Sequence, residues 1–214
     1  AEPRRTARGP WFERPPHRPW WFLGYAAIAV LIAALPGIAV VAALAVAAPW
    51  LRDADSLSAA LRCALVWIPV GTVVGLLVLA VLIVALVRLL GIGLRPGVHP
   101  VHGLRAWQAW ATLRVLDEAR SWLFPVYSSS LTPTWLRWLG ADIGTGVEAS
   151  TVLLIPKLTT VREGAFLADD TLLGGYELGG GWLRVDDVVI GKHAFVGNSG
   201  MTAPGRKVPK RGLV

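Results

Sequence analysis

Few residues in this sequence can move a proton or stabilise a charge, and most of those that can lie near its end. His193 is the only histidine after residue 140. A neutral imidazole with a pKa of about 6.5 can accept a proton near neutrality. Asn198 carries an amide donor beside the backbone amide of Gly197, and donors of this kind stabilise a developing oxyanion. Asp169 and Asp170 are adjacent carboxylates able to attract a cation. Each has a plainer reading. Asparagine is ordinary corner chemistry, and the histidine and both aspartates suit solvated polar corners. His99 and His102 invite a metal, but no third ligand is near and a solvated loop explains them; His17 stands isolated among prolines. The lone Cys63 excludes an internal disulfide framework and a cysteine-based zinc cluster. No metal site is expected, and no Ser-His-Asp or Cys-His set for nucleophilic catalysis is readable.

The candidate residues must be positioned by a stretch whose texture changes at residue 140. Aligned in sixes, it reads Ile143-Gly-Thr-Gly-Val-Glu, Val161-Arg-Glu-Gly-Ala-Phe and Leu167-Ala-Asp-Asp-Thr-Leu, then Ile190-Gly-Lys-His-Ala-Phe and Val196-Gly-Asn-Ser-Gly-Met. Each unit opens with an aliphatic residue, usually followed by a small one, and has a small or β-branched residue fifth. This pattern predicts an all-β left-handed parallel β-helix over 140–214, with the leading aliphatics stacked inward. A hexapeptide repeat of three units per coil gives coils of about 18 residues, so about four fit. The run Leu173-Gly-Gly-Tyr-Glu-Leu-Gly-Gly-Gly-Trp182 interrupts it as a loop, either a flexible connection or a lining for a ligand or acceptor channel. The sequence stops where another unit would begin, so the domain is expected to be incomplete and the chain a fragment.

Upstream the composition is different. The chain is 54% apolar and 16% charged, with a mean hydropathy of +0.54. Ordinary soluble domains are about 45–50% apolar and about 25% charged, so disorder is excluded as the main state and part of the chain reads as dissolved in lipid. No charge occurs in 19–51 or 63–87. About 20 apolar residues cross a bilayer core, so 20–51 and 63–87 are predicted as a transmembrane α-helical hairpin with a short external loop over 52–62. Pro36-Gly37 predicts a kink, and Gly71 and Gly75 offer a close helix–helix contact. Trp20, Trp21, Tyr25, Trp50 and Trp67 read as anchors in the headgroup layer.

Charge sets the expected orientation. Arg4, Arg5, Arg8, Arg14 and Arg18 lie in a basic lead-in, 1–19, and Arg88, Arg95 and Arg105 follow the second span. The connection holds only Arg52 and Arg62, offset by Asp53 and Asp55. Positive charge stays on the cytoplasmic side, which predicts an inner (cytoplasmic) membrane protein, multi-pass, with both termini cytoplasmic. Residues 1–139 carry 13 basic and 6 acidic groups, and 140–214 carry 8 of each. All of the net charge of +7 thus lies beside the membrane, and the lipid bilayer is the expected partner. A nucleic-acid module would need a basic face on its folded domain, so no nucleic acid is expected. Within 88–139, a cytoplasmic loop leads to an amphipathic stretch with Leu104, Trp107, Ala111, Leu116, Ala119 and Leu123 on one side and Arg105, Gln108, Thr112, Asp117, Arg120 and Ser121 mainly on the other. It predicts a helix lying in the headgroup layer or docked on the next domain. Thr134-Trp-Leu-Arg-Trp-Leu139 is a second such piece.

Several motifs carry a resemblance. They include His99-Pro-Val-His102, Ala106-Trp-Gln-Ala-Trp-Ala-Thr-Leu113, Leu116-Asp-Glu-Ala-Arg120, Trp122-Leu-Phe-Pro125, Ser129-Ser-Leu-Thr-Pro133 and Glu148-Ala-Ser-Thr-Val-Leu-Leu154. The most specific are Ala165-Phe-Leu-Ala-Asp-Asp-Thr-Leu172, Tyr176-Glu-Leu-Gly-Gly-Gly-Trp182 and Val196-Gly-Asn-Ser-Gly-Met-Thr-Ala-Pro-Gly205. The hexad units resemble acyltransferases with a left-handed β-helix. With the paired spans, the whole more closely resembles the membrane-anchored, single-module non-ribosomal peptide synthetases that make poly-ε-lysine and related homopolymers. The resemblance implies adenylation and carrier domains in the same full-length chain, with phosphopantetheine on the carrier and no cofactor in this segment. It implies amide formation between an aminoacyl thioester and an acceptor amine on the growing polymer. His193 would then take the amine proton, Asn198 or amides near Gly197 would hold the oxyanion, and Asp169 and Asp170 would attract a cationic acceptor. A noncatalytic scaffold controlling polymer length or exit, and a free-standing coenzyme A-dependent acyltransferase, are the alternatives. A homo-oligomer stays open.

Overall fold

The computed structural model describes residues 14–16 and 18–214. Arg4, Arg5, Arg8 and His17 lie outside the described residues. Two long apolar helices come first, α1 (Trp21–Arg52) and α2 (Leu57–Leu90). Helix α1 runs through Pro36 and Pro49, and α2 through Pro69. The connection is shorter than expected. Ser56 caps α2, its hydroxyl accepting from the Ala59 N–H at 3.2 Å, so the helix starts ahead of Cys63. The helices close on small residues: a Cβ added at Gly71 or Gly75 would sit 3.0 Å from the Ala43 or Ala39 carbonyl oxygen. Backbones approach this closely only where side chains are minimal. Trp50 stacks on Trp67 at 4.9 Å near the connected end.

The segment after α2 departs from the expected solvated loop. Gly97–Pro100 forms strand β1, and His99 lies in it, half-buried. Helix α3 (Leu104–Trp122) follows, then a single turn, α4 (Phe124–Tyr127), and α5 (Thr132–Leu139). Helix α3 is docked on the β region that follows it, as one of the two expectations had it, and also against the hairpin. Ala106, Ala109, Ala111, Val115 and Ala119 have no exposed area, and two apolar clusters meet the helix from different sides. One side meets Ile28, Ile32, Leu79, Ile83 and Val87 of the hairpin, and the other meets Leu94, Ile155, Leu183 and Val185. Gln108 and Thr112, assigned by spacing to the polar face, are buried. They are hydrogen-bonded, Gln108 Nε2 donating to the Ile92 carbonyl at 2.9 Å and Thr112 Oγ1 to the Gln108 carbonyl at 2.8 Å. Alanines let both neighbours approach, so α3 becomes a buried strut.

Pinning contacts hold hairpin and strut together. Trp107 Nε1 donates to the Gly24 carbonyl at 2.9 Å, and Tyr25 Oη donates to the Val101 carbonyl at 2.8 Å. Arg88 Nε donates to the Trp138 carbonyl at 2.7 Å, so the last turn of α2 satisfies the end of α5. Arg137 of α5 donates in turn to the carbonyls of Ile143 and Gly144, at 2.9 and 2.7 Å.

From residue 142 the strands are short: β2 (Asp142–Ile143), β3 (Glu148–Ala149), β4 (Val152–Leu154), β5 (Thr159–Val161), β6 (Phe166–Leu167) and β7 (Thr171–Leu173). After an excursion through β8 (Glu177–Gly179) and β9 (Trp182–Val185) come β10 (Val188–Ile190), β11 (Phe195–Val196), β12 (Met201–Thr202) and β13 (Lys207–Val208). They form three parallel sheets, β2-β5-β10-β13, β3-β6-β11 and β4-β7-β12, each visited once per turn of the chain. Val161 pairs with Ile143 and Ile190, and Ile190 with Val208. The leading residues Ile143, Val161, Leu167, Ile190 and Val196 are all buried. The excursion is not a loop. Strands β8 and β9 form an antiparallel hairpin extended by β1, with Leu183 opposite both Leu178 and His99. Its glycines make the turn: Gly180 and Gly181 have φ of 55° and 84°, values that side chains resist.

Candidate functional site

Parallel coils stack their corners, so the candidate residues fall in columns. At the corner between the β2 and β3 sheets, Gly146, Gly164, His193 and Arg211 all take positive φ, from 54° to 65°. Rungs join through the backbone, the His193 N–H donating to the Glu163 carbonyl and the Arg211 N–H to the Lys192 carbonyl. The imidazole of His193 lies over Gly164: a Cβ there would come within 2.3 Å of Nδ1. His193 is solvent-exposed, beside Glu163 and Lys192, whose Nζ donates to Glu163 Oε2 at 2.9 Å. That hydrogen bond, helped by the ammonium charge and the nearby imidazole, holds the Glu163 carboxyl below the usual carboxylate range.

Asn198 and the two aspartates occupy the next column, between the β3 and β4 sheets. Asp170 and Ser199 have φ of 55°, and the Ser199 N–H donates to the Asp169 carbonyl at 2.9 Å. The structure thus brings Asn198, Asp169 and Asp170 to one edge and His193 to the opposite edge of the same sheet. Both carboxylates already have partners. Asp170 Oδ1 receives Arg120 Nη1 at 2.6 Å, and Asp169 Oδ1 accepts from the hydroxyls of Ser150 and Thr151. Arg120 comes from α3, a partner that spacing within the β region could not reveal.

Between these columns lies the outward side of β3, β6 and β11, which residue-type reasoning passed over. Glu148, Phe166 and Phe195 project there in register. A signal was available, since all three hold the sixth place of their six-residue units. A groove of about 460 Å³ runs between this side and the α4–α5 turn, lined by Ser128, Ser130, Glu148, Ser150 and Phe166 among others. A second groove, of about 230 Å³, lies where α2, α5 and the first coils meet, with Arg88, Thr112 and Lys157 in its walls. Among the described residues no group of three His, Cys, Asp or Glu is placed to hold a metal.

The chain is therefore a hairpin of apolar helices, long enough to cross a membrane, carrying a parallel β coil. It is similar to delta-poly-L-ornithine synthetase of Acinetobacter baumannii (strain AB307-0294), with 35% identity over 119 residues. The match takes in 55% of this chain and 9% of that protein, so the chain spans less than a tenth of its relative. No protein-family model matches the chain. No solved structure matches it.

Proposed function

We propose that this chain is a membrane-embedded portion of a non-ribosomal peptide synthetase that joins amino-acid monomers into a homopolymer. The observation that carries this reading is the 119-residue similarity to a protein named for poly-ornithine synthesis. In this reading α1 and α2 cross the inner membrane, both termini are cytoplasmic, and the coil is a left-handed hexapeptide-repeat β-helix of the acyltransferase type. The basic residues flanking the hairpin support the orientation. Adenylation and carrier domains elsewhere in the full-length protein supply the aminoacyl thioester. The acceptor amine attacks the thioester carbonyl, the thiol leaves, and His193 takes the amine proton at its exposed imidazole. Asn198 donates to the carbonyl oxygen as charge develops.

A second reading, a noncatalytic scaffold that shapes polymer length or exit, is favoured by the placement of His193 and Asn198 on opposite edges of one sheet. The test is the full-length synthetase assayed for homopolymer from amino acid and ATP, with and without His193→Ala. A yield at least tenfold lower, with monomer activation intact, supports the proton-transfer role. Unchanged yield and length assign the coil to scaffolding, and absence of any homopolymer from the native protein overturns both readings.

A further inference from the structure

The ladder Glu148–Phe166–Phe195 has the composition of a cation site. Phe166 and Phe195 stack with centroids 5.3 Å apart and planes within 9°. They stay 39% and 40% exposed, respectively. A ring stacked along a ladder turns its second face to the next rung, and for Phe166 that rung is Glu148. Both residues line the groove under the α4–α5 turn, and no lysine or arginine lines it with them. Of the other carboxylates in the coil region, all but Asp187 have an ion-paired or hydrogen-bonded partner. Asp142, Glu163, Asp170, Glu177 and Asp186 are ion-paired, Asp169 accepts from two hydroxyls, and Asp187 shares its groove with Lys157 and Lys207. Glu148 takes part in no ion pair among the described residues.

A carboxylate beside an aromatic face attracts an organic cation through both charge and the ring quadrupole. An ammonium has three donors, and the Ser128 and Ser130 hydroxyls that edge the groove supply acceptors alongside the carboxylate. We infer that this groove binds the primary ammonium group of an amino-acid monomer or growing chain, with Glu148 as counter-charge and Phe166 as the π face. The inference rests on the poly-amino-acid reading for the source of the ligand. It moves cation recognition from Asp169 and Asp170, already engaged, to the rung between the two corner columns.

The purified chain in detergent micelles is titrated calorimetrically with a δ-linked ornithine trimer, and with the same trimer acetylated at its amines. Native protein is expected to bind the free trimer at millimolar concentration and to ignore the acetylated one. Glu148→Gln and Phe166→Leu each weaken binding about three- to fivefold, in line with an exposed ion pair and a partly exposed cation–π contact. Asp187→Asn leaves it unchanged. Equal binding of the acetylated trimer, unchanged affinity of Glu148→Gln, or no binding by the native chain overturns the site. Homopolymer synthesis by the full-length protein is scored separately. Polymer made alongside a failed titration removes this site alone, whereas a successful titration without polymer removes the synthetase reading alone.

Discussion

Tyr127 shows how a single buried residue sets a pH limit for the fold. Its side chain is 1% exposed and packs edge-on against Trp135, with ring centroids 6.1 Å apart. Burial pushes the phenol up to about 12 from 10.0, because the anion loses more hydration than the neutral form. The folded state thus holds this proton more tightly than the unfolded state does. Its contribution is complete below pH 10 and is lost as pH rises through 12, a change of roughly 3 kcal/mol at about 1.4 kcal/mol per unit. Chemical unfolding scanned from pH 9 to 12 should show stability falling for native protein and a flatter profile for Tyr127→Phe. Identical slopes would mean that another group carries the alkaline limit. At this scale the sequence was only partly legible. It offered His193, Asn198, Asp169 and Asp170 by type, but an ion pair such as Arg120–Asp170 joins elements 50 positions apart and leaves no local trace. The Glu148–Phe166–Phe195 ladder, by contrast, was open to anyone asking which residues share the sixth place.

The strands of the coil are two or three residues long, so each rung relies on its neighbours being at the right height. Glycine at two equivalent corners permits that height. A Cβ at Gly144 would fall 2.6 Å from the Glu163 nitrogen, and one at Gly191 would fall 2.6 Å from the Lys210 nitrogen. These obstacles are backbone atoms, which cannot swing away as a side chain can. Gly191→Ala should therefore part the rungs and cost about 1–3 kcal/mol, as overpacked cores do, read as a lower melting temperature in detergent. Unchanged melting would mean that the coils are loosely stacked. Element existence was readable here because aliphatic residues return with a fixed period, and their burial follows from it. Two elements were misjudged. The glycine-rich run 173–182 and the stretch around His99 look like loops in isolation, yet β8 pairs with β9 as a local hairpin and β1 joins β9 from more than 80 positions away. Helix α3 was likewise read as one-sided, since nothing local says that two bodies will close on it.

Taken as a whole, the molecule divides into a hairpin with a largely apolar exposed surface and a more polar β coil. Val30, Val41, Leu65, Val66, Ile68 and Val81 are each more than 60% exposed on α1 and α2, a surface that no soluble monomer tolerates over such a length. With the membrane reading, the protein should stay in the pellet after an alkaline carbonate wash and enter solution only with detergent. Recovery in the aqueous wash would require another partner for those faces. The hairpin also has a dimension worth reading as such. Helices of 32 and 34 residues rise about 48 and 51 Å at 1.5 Å per residue, against an apolar bilayer thickness of about 30 Å. In that reading roughly two-fifths of each rod would overshoot, and Ile28, Ile32, Leu79, Ile83 and Val87, in the apolar cluster with α3, lie toward the ends that would do so. The strut would thus roof greasy length that lipid does not reach. If the hairpin spans a bilayer, the pair of rods would act as a mast as well as a mooring, fixing how high above the leaflet the coil rides.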